Sequence, residues 1–219
     1  MELTQEHLEE EYGLRLTEQE VADVRRGGIV RTFESVQGTG IKTGMAVAVL
    51  DVPVDKVWSV IHDHNNFKDF MPNIKESILF DPAVVQQALD LNFDRASSNP
   101  ELLMDFLREH RISSMNGATG YFFNLLDMPW PLKDLWYIIK LTDLVQENLW
   151  KNSWEMLAGN MKSDRGSWTL VPYSEGDTFV LYNAFADPGI VVPDPFVNLA
   201  LNVGLPGILR AVKRRSKKV

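Results

Sequence analysis

Apolar residues recur along the chain with two different periods, and each change of period predicts a change of secondary structure. Residues 17–26 have helical spacing and begin with the T-x-x-E pattern of a capping box. Residues 29–36 and 41–52 alternate as strands do, and the glycines between them predict a hairpin. The chain therefore begins with a helical extension, which we place at 1–28, followed by two paired strands.

The middle of the chain returns to helical spacing and then changes character. Residues 53–72 predict a helix that breaks near Asn65 and resumes briefly before Met71, and residues 73–80 predict the next strand. Between residues 81 and 117, two segments each begin with a capping residue followed by proline, an arrangement favoured at helix starts. We interpret 81–117 as a helical insertion. The second of its helices carries an apolar stripe made of Leu102, Leu103, Phe106 and Leu107.

The rest of the chain alternates as strands do and ends in a helical pattern. Short connections bearing Asp, Asn, Gly and Ser indicate antiparallel pairing. The predicted strands are 119–128, 135–145, 148–157, 165–173 and 177–186. A helical pattern over 194–215 follows, with a kink predicted at 204–207 by two glycines and a proline. This order predicts an α+β fold in which a curved antiparallel sheet wraps around a long C-terminal helix, with residues 1–219 forming one domain.

Curvature of such a sheet holds the helix away from the far strands, so the fold predicts a gap between them. Five of the six tryptophans follow the insertion, at Trp130, Trp136, Trp150, Trp154 and Trp168. For any single tryptophan, an ordinary aromatic core is the better interpretation. For the group, a cavity lined by aromatic and methionine side chains is the alternative, and both interpretations stay open here.

Composition limits the class of protein. The hydrophobic share of 45% and the charged share of 24% are those of a globular protein. The absence of cysteine excludes disulfides, thiolate metal sites and cysteine nucleophiles. The acidic N-terminus does not have the pattern of a signal peptide, and the apolar stretch at 196–209 is too short and interrupted to cross a bilayer. We expect a cytoplasmic protein.

The charge of the chain is polarised. The net charge is -8, yet the last ten residues carry six basic side chains, namely Arg210, Lys213, Arg214, Arg215, Lys217 and Lys218. An acidic body is unsuited to broad nucleic-acid binding, which needs a positive surface. We interpret the basic end as a favourable helix C-terminus, with transient contact to anionic lipid headgroups as the alternative.

The sequence offers little reactive chemistry. No nucleophile elbow, zinc-protease, P-loop or dinucleotide motif is present. On a continuous helix, His62 and His64 lie on nearly opposite faces and do not form a metal site. We therefore predict no metal and no cofactor. Ionisable side chains that an acid–base enzyme could use are present but not grouped in the sequence: Tyr121, Tyr137, Lys140, Glu155 and Tyr182. Glu155 and Arg165 are expected to meet across adjacent strands.

Several segments together resemble START-like domains of the superfamily that includes Bet v 1, polyketide cyclases and coenzyme-Q-binding proteins. The segment "DVPVDKVWSVIHDHNNFKDFMPNIKES" (51–77) has the V-x-x-V-W entry into a helix and the following D-x-x-x-[FY]-x-x-[FW]-x-P pattern. "PWPLKDLWYI" (129–138) is similar to the proline corner of that family. "GSWTLVP" (166–172) and "VLYNAFADPGIVVPDPFVN" (180–198) are similar to its last two strands and the lead into its C-terminal helix. The resemblance implies a helix-grip fold.

The resemblance also implies binding of a hydrophobic small molecule, such as a lipid, sterol or isoprenoid, between the sheet and the C-terminal helix. We expect the ligand to contact Met71, Phe123, Trp136, Trp154, Trp168, Tyr182, Leu199 and Val203. Trp130 is expected to pack as a wedge at the mouth of the pocket. The corner has Leu135 where the family typically has an arginine, and the helical insertion is unusual for the family.

Two other functions stay open at this point. One is an enzyme of the cyclase or aromatase type, which needs ionisable side chains converging in the pocket. The other is a regulatory module whose insertion at 81–117 recruits a protein partner through an exposed apolar stripe. In a carrier, the same insertion would be a lid or a docking arm.

Overall fold

The computed structural model describes residues 3–35, 42–91, 100–190 and 203–219. The N-terminal extension forms α1 (Gln5–Tyr12) and α2 (Glu18–Arg25). The predicted capping box of α2 is confirmed, because the Thr17 hydroxyl accepts from the Glu20 backbone N–H and the Glu20 carboxylate accepts from the Thr17 backbone N–H.

The described strands form one antiparallel sheet with the order β1-β2-β8-β7-β6-β5-β4-β3. Their bounds are β1 Val30–Ser35, β2 Lys42–Leu50, β3 Ile74–Phe80, β4 Thr119–Leu126, β5 Leu135–Gln146, β6 Leu149–Gly159, β7 Ser163–Ser174 and β8 Asp177–Asp187. The predicted hairpin of β1 and β2 and the predicted meander from β4 to β8 are confirmed. The meander places β8 next to β2, so the last strand of the sheet pairs with the N-terminal hairpin.

The remaining helices cover the sheet. They are α3 Val54–Ile61, α4 Phe67–Phe70, α5 Val85–Asp90, α6 Glu101–Glu109 and α7 Leu205–Ser216. The helix predicted over 53–72 is interrupted after Ile61, where a 3-10 turn at 64–66 precedes α4. Of the helix predicted over 194–215, α7 is the described part, and residues 194–202 lie outside the described ones.

Alternation along the strands gives the sheet two faces with different coverings. We call the face that packs against α3 and α7 the inner face; its core includes Ala46, Phe122, Leu170, Val180 and Leu209. The opposite, outer face is covered at one side by the N-terminal extension and at the other side by the insertion. The predicted α+β fold, with a curved sheet and a C-terminal helix against one face, is confirmed.

The insertion packs its apolar stripe onto the outer face. Leu103 and Leu107 are fully buried in the cluster formed with β3, β4 and β5, and Phe106 packs against the same cluster. Leu102 alone of the stripe is left 77% exposed. A protein-recruiting module was expected to expose this stripe. Most of the stripe is instead buried in the core of the outer face. The expected wedge at Trp130 is also wrong, because that side chain is 89% exposed.

Candidate functional site

A contiguous group of aromatic side chains lies on the inner face of β6, β7 and β8. The Tyr182 ring lies against Trp154, with centroids 5.6 Å apart, and against Trp168, with centroids 4.4 Å apart. Gly166 makes this arrangement possible, since a Cβ there would collide with the Trp154 ring and the Asn183 carbonyl. The Trp154 indole thus occupies the space that a side chain at position 166 of β7 would fill.

Asp164 lies on the same face of β7, two residues before Gly166. The Trp154 indole N–H donates to Asp164 Oδ1 at 2.6 Å, the one hydrogen bond to this carboxylate from the residues that the structure describes. Burial raises the pKa of Asp164 to about 6, and the indole hydrogen bond opposes that rise. The cause is the lost hydration of the charged form, which no nearby cation replaces.

Two tyrosines and an asparagine complete what we call the inner polar cluster: Asp164, Tyr137, Tyr182 and Asn124. Asn124 Nδ2 donates to Tyr137 Oη at 3.2 Å, while Asn124 Oδ1 is buried with no partner among the described residues. Burial raises the pKa of both tyrosines, and the negative charge of Asp164 raises them further. Both hydroxyls therefore stay protonated at neutral pH.

The titratable side chains of this cluster, Tyr137, Asp164 and Tyr182, are surrounded by protein. Each of them is nevertheless only half-buried, because part of its surface remains accessible. Loss of hydration dominates the pKa shifts of Tyr137, Asp164 and Tyr182, yet each retains accessible surface, as does Trp154. A side chain that is surrounded by protein but keeps accessible surface borders a space. Small residues face the same region, because Gly44 and Gly166 flank Ala184 on the adjoining strands.

The structure assigns six of the eight predicted contact residues to one of the two faces. Those that belong to the inner-face cluster are Met71, Trp154, Trp168 and Tyr182. Phe123 and Trp136 lie on the outer face, where their rings stack with centroids 6.3 Å apart beneath the insertion. Val203 is 55% exposed just before α7, and Leu199 lies outside the described residues.

The ionisable candidates are divided in the same way. Tyr137 and Tyr182 come together on the inner face, whereas Tyr121, Lys140 and Glu155 lie on the outer face. Sequence reasoning missed two members of the inner polar cluster, Asn124 and Asp164. Asp164 was missed because the predicted strand began one residue after it. The signal was present: an acidic residue at an even spacing from Trp168 and Leu170 shares their apolar face.

A second polar cluster lies where α3 ends. Since the helix stops at Ile61, the predicted separation of the two histidines is wrong, and the His62 and His64 rings lie edge to face with centroids 5.5 Å apart. His62 Nδ1 is 2.9 Å from the Trp58 carbonyl oxygen, and Nε2 is 2.9 Å from Asp143 Oδ2. Both ring nitrogens of His62 are therefore engaged by groups of the protein itself.

His64 is a core residue in its present environment. It is 2% exposed and packs against the rings of Phe67 and Phe122. Loss of hydration and the neighbouring His62 lower the pKa of His64 to about 3, so the ring is neutral at physiological pH. Across the described ranges, no three side chains of the metal-ligating types are grouped closely enough to hold an ion.

The outer face carries a different kind of site, an open groove of about 750 Å³ across β5–β8, which we call the outer groove. Thr142, Ser153, Ser167 and Asn183 lie along it. The basic residues of β4–β8 also lie along it, and these are Lys140, Lys151 and Arg165. Glu155 stands opposite both Lys140 and Arg165 in the strand register, as expected of cross-strand neighbours.

The basic end of the chain is engaged in ion pairs. Lys213 and Lys217 each lie 2.6 Å from an Asp51 oxygen, and Arg215 lies 3.0 Å from Asp63. The hydrogen bond from Lys213, followed by that from Lys217, lowers the pKa of Asp51 to about 2. These pairs hold α7 against the two ends of α3. None of the helices in the described ranges is long and apolar enough to cross a bilayer.

Comparison with known proteins places this arrangement among solved structures. No protein-family model matches the chain, and no curated protein matches it. A STAR-related lipid transfer protein from Xanthomonas axonopodis has a TM-score of 0.65 at 18% identity, over 87% of this chain and 94% of that one. Human STARD10 has a TM-score of 0.64 at 13% identity, over 88% of this chain and 71% of that one. An aromatase/cyclase from a Streptomyces species has a TM-score of 0.54 at 10% identity, over 87% and 94% of the two chains.

These likenesses concern the fold, since identities below a fifth do not carry a function from one protein to another. The fold predicted from the sequence motifs is the one that these structures share. The chain therefore has the START-like, helix-grip fold.

Proposed function

We propose that the protein binds a hydrophobic small molecule between the inner face of the sheet and the C-terminal helix, as a carrier or sensor. The observation that carries this proposal is the half-buried state of Tyr137 and Tyr182, which lie deep in the protein on the face that also carries small residues. Removal of apolar surface from water supplies the affinity, and a few polar groups fix the orientation of the ligand. The inner polar cluster is suited to that second task.

The chemical class of the ligand is proposed from the fold. Two of the similar structures are described as STAR-related lipid transfer proteins, one from Xanthomonas axonopodis and one human. By analogy, a lipid, sterol or isoprenoid is the class that we propose here. Four of the residues expected to contact it lie on the inner side, and these are Met71, Trp154, Trp168 and Tyr182.

The test is native mass spectrometry of gently purified protein, with organic extraction and identification of whatever is released. Ala184→Phe is the informative variant, because Ala184 is a half-buried small residue on the inner face and a ring there would occupy the proposed space. Ser153→Phe places the same ring on the outer face and is the matched control. We expect Ala184→Phe to lower the amount of ligand retained per protein and Ser153→Phe to leave it unchanged.

Two results would contradict the proposal. One is an empty wild-type protein that also fails to bind a panel of lipids, sterols and isoprenoids. The other is equal retention by both variants, provided that circular dichroism shows both to be folded, because the ligand would then lie elsewhere.

A second candidate function is an enzyme of the cyclase type, and one observation favours it. Asp164, whose pKa is raised to about 6, is within electrostatic reach of the Tyr137 and Tyr182 hydroxyls. A carboxylate of this kind can take a proton from an activated carbon while a protonated phenol donates to a carbonyl oxygen. One of the similar structures is itself an aromatase/cyclase.

The test of this candidate is incubation with a linear poly-β-carbonyl thioester, followed by chromatography of the products. Cyclised product that disappears with Asp164→Asn and persists with the outer-face variant Glu155→Gln would support the enzyme. Products identical to those formed without protein would leave the carrier as the proposed function.

A further inference from the structure

We propose that the polar end of the bound molecule is a hydrogen-bond donor without negative charge, an alcohol or an amine, received by Asp164 and Asn124. This inference rests on the proposed function, since it names the part of the ligand that the inner polar cluster recognises. It goes beyond that function by excluding a class of headgroup, namely carboxylates and phosphates.

Acceptors outnumber donors in the inner polar cluster. The Asp164 carboxylate can accept several hydrogen bonds and receives one from the described residues, from the Trp154 indole. Asn124 donates to Tyr137 and is 4% exposed, while its own carbonyl oxygen has no partner among the described residues. A buried acceptor without a donor costs free energy, and a ligand that brings the donor removes this cost.

The two tyrosine hydroxyls do not reverse this balance. A phenol both donates and accepts, so Tyr137 and Tyr182 can serve either kind of headgroup. The carboxylate and the amide oxygen can only accept, and they therefore decide which headgroup is favoured.

Among the described side chains of β4–β8, none on the inner face around the cluster carries a positive charge. Strands β4–β8 contain three basic residues, Lys140, Lys151 and Arg165, and all of them lie along the outer groove. An anionic headgroup would therefore meet the Asp164 carboxylate in a desolvated site with no compensating cation among the described side chains of β4–β8, and like charges repel strongly there.

The raised pKa of Asp164 agrees with this geometry, because a cation in contact with the carboxylate would lower it instead. An ammonium headgroup would supply that cation, and an alcohol would supply a neutral hydrogen bond. Both are donors, so the experiment has to separate them from each other as well as from an anion.

The experiment compares three probes that share one tail: dodecanol, dodecylamine and dodecanoic acid. Each is titrated below its micelle concentration against the full chain at pH 7.5, with displacement of a fluorescent apolar dye as the readout. We expect the alcohol, the amine or both to bind at least about tenfold more tightly than the acid, the size of effect given by one hydrogen bond to a charged group. Tighter binding of the alcohol identifies the headgroup as neutral, and tighter binding of the amine identifies it as cationic.

Asp164→Asn is the decisive variant and Glu155→Gln is its matched control, a carboxylate-to-amide change on the neighbouring strand but on the outer face. We expect Asp164→Asn to reduce the preference over the acid by about tenfold and Glu155→Gln to preserve it. An acid that binds wild-type protein as tightly as the other probes would overturn the inference, and so would a preference unaffected by Asp164→Asn. If the dye and all three probes fail to bind, the proposed function itself is overturned.

Discussion

The two faces of the sheet place their ionisable residues in opposite environments. On the inner face, a carboxylate and two tyrosines lie among tryptophans and small residues, and loss of hydration raises the pKa of Asp164, Tyr137 and Tyr182. On the outer face, Lys140, Lys151 and Arg165 lie along an open groove. Successive residues of one strand belong to both environments, since Asp164 and Arg165 are neighbours in sequence. The difference shows that the chemistry of a residue here is set by the face it occupies.

The same contrast holds for aromatic side chains. Trp136 is fully buried beneath the insertion, whereas Trp154 is half-buried and lies beside the inner polar cluster. The first fills a packed core and the second borders a space. Four measurements test whether the two faces differ in this way.

The largest effect is expected from removing a tryptophan. Trp136→Ala should reduce the free energy of unfolding by about 4 kcal/mol, because it leaves a large cavity in a packed core, while Trp154→Ala should cost about 2 kcal/mol. Urea denaturation of the ligand-free proteins measures both, with the exposed Trp130→Ala as the control. Equal losses for Trp136 and Trp154 would show that the inner face is packed as tightly as the outer one.

Asp164→Asn should make the ligand-free protein more stable. The folded pKa of about 6 exceeds the ordinary value of 3.8, so ionisation opposes folding above pH 6, and the cost disappears as the pH falls towards 3.8. The variant should gain up to about 3 kcal/mol at pH 8 and almost nothing at pH 4. Denaturation curves at the two pH values test this, and a variant less stable than wild type at pH 8 would show that the carboxylate already has a stabilising partner.

His64 should make the protein sensitive to acid. Its folded pKa of about 3 lies below the ordinary 6.5, so the unfolded chain binds a proton first and stability falls as the pH drops below 6.5. Between pH 7.5 and 5 this loss should be about 2 kcal/mol, and His64→Phe should remove it. The change in the free energy of unfolding between pH 7.5 and 5 is measured in wild type and in His64→Phe, and the two changes are compared. Asp164 is present in both proteins, so its contribution cancels. An unchanged acid sensitivity in the variant would contradict the assignment of a neutral, buried ring.

The smallest effect is expected in the outer groove. Lys140→Gln should change the free energy of unfolding by less than about 0.5 kcal/mol, because exposed substitutions away from packed or paired groups have little effect. Retention of extracted ligand should also be unchanged. A loss of ligand in this variant would move the binding site from the inner to the outer face.

Most of the fold was accessible to sequence reasoning. The hairpin, the insertion and the meander follow from local periodicity and turn residues, because each element depends on its own pattern. The helix after Pro53 was predicted to break near Asn65, and it stops four residues earlier, at Ile61. That error had a chemical consequence, since the continuous helix placed His62 and His64 apart, and the turn brings them together.

The site was predicted less completely. Alternation correctly separated Trp136 from Tyr137, but which of these two faces the C-terminal helix depends on the covering elements. Residues from both faces were consequently included in one predicted set. Asp164 was missed because its strand was predicted to begin at residue 165 and begins at Ser163, and a shift of two residues is enough to exclude a group from a site.

Periodicity, turn residues and capping residues act over short distances, so the sequence was enough to predict the elements and their antiparallel pairing, and the resemblance of its motifs implied the START-like fold. Tertiary packing decides which side of each strand is enclosed. That decision brings Asp164, Tyr137, Tyr182 and Asn124 together from β4, β5, β7 and β8. Register between strands and loss of hydration within the fold create this cluster, and neither is a property of any one segment of the chain.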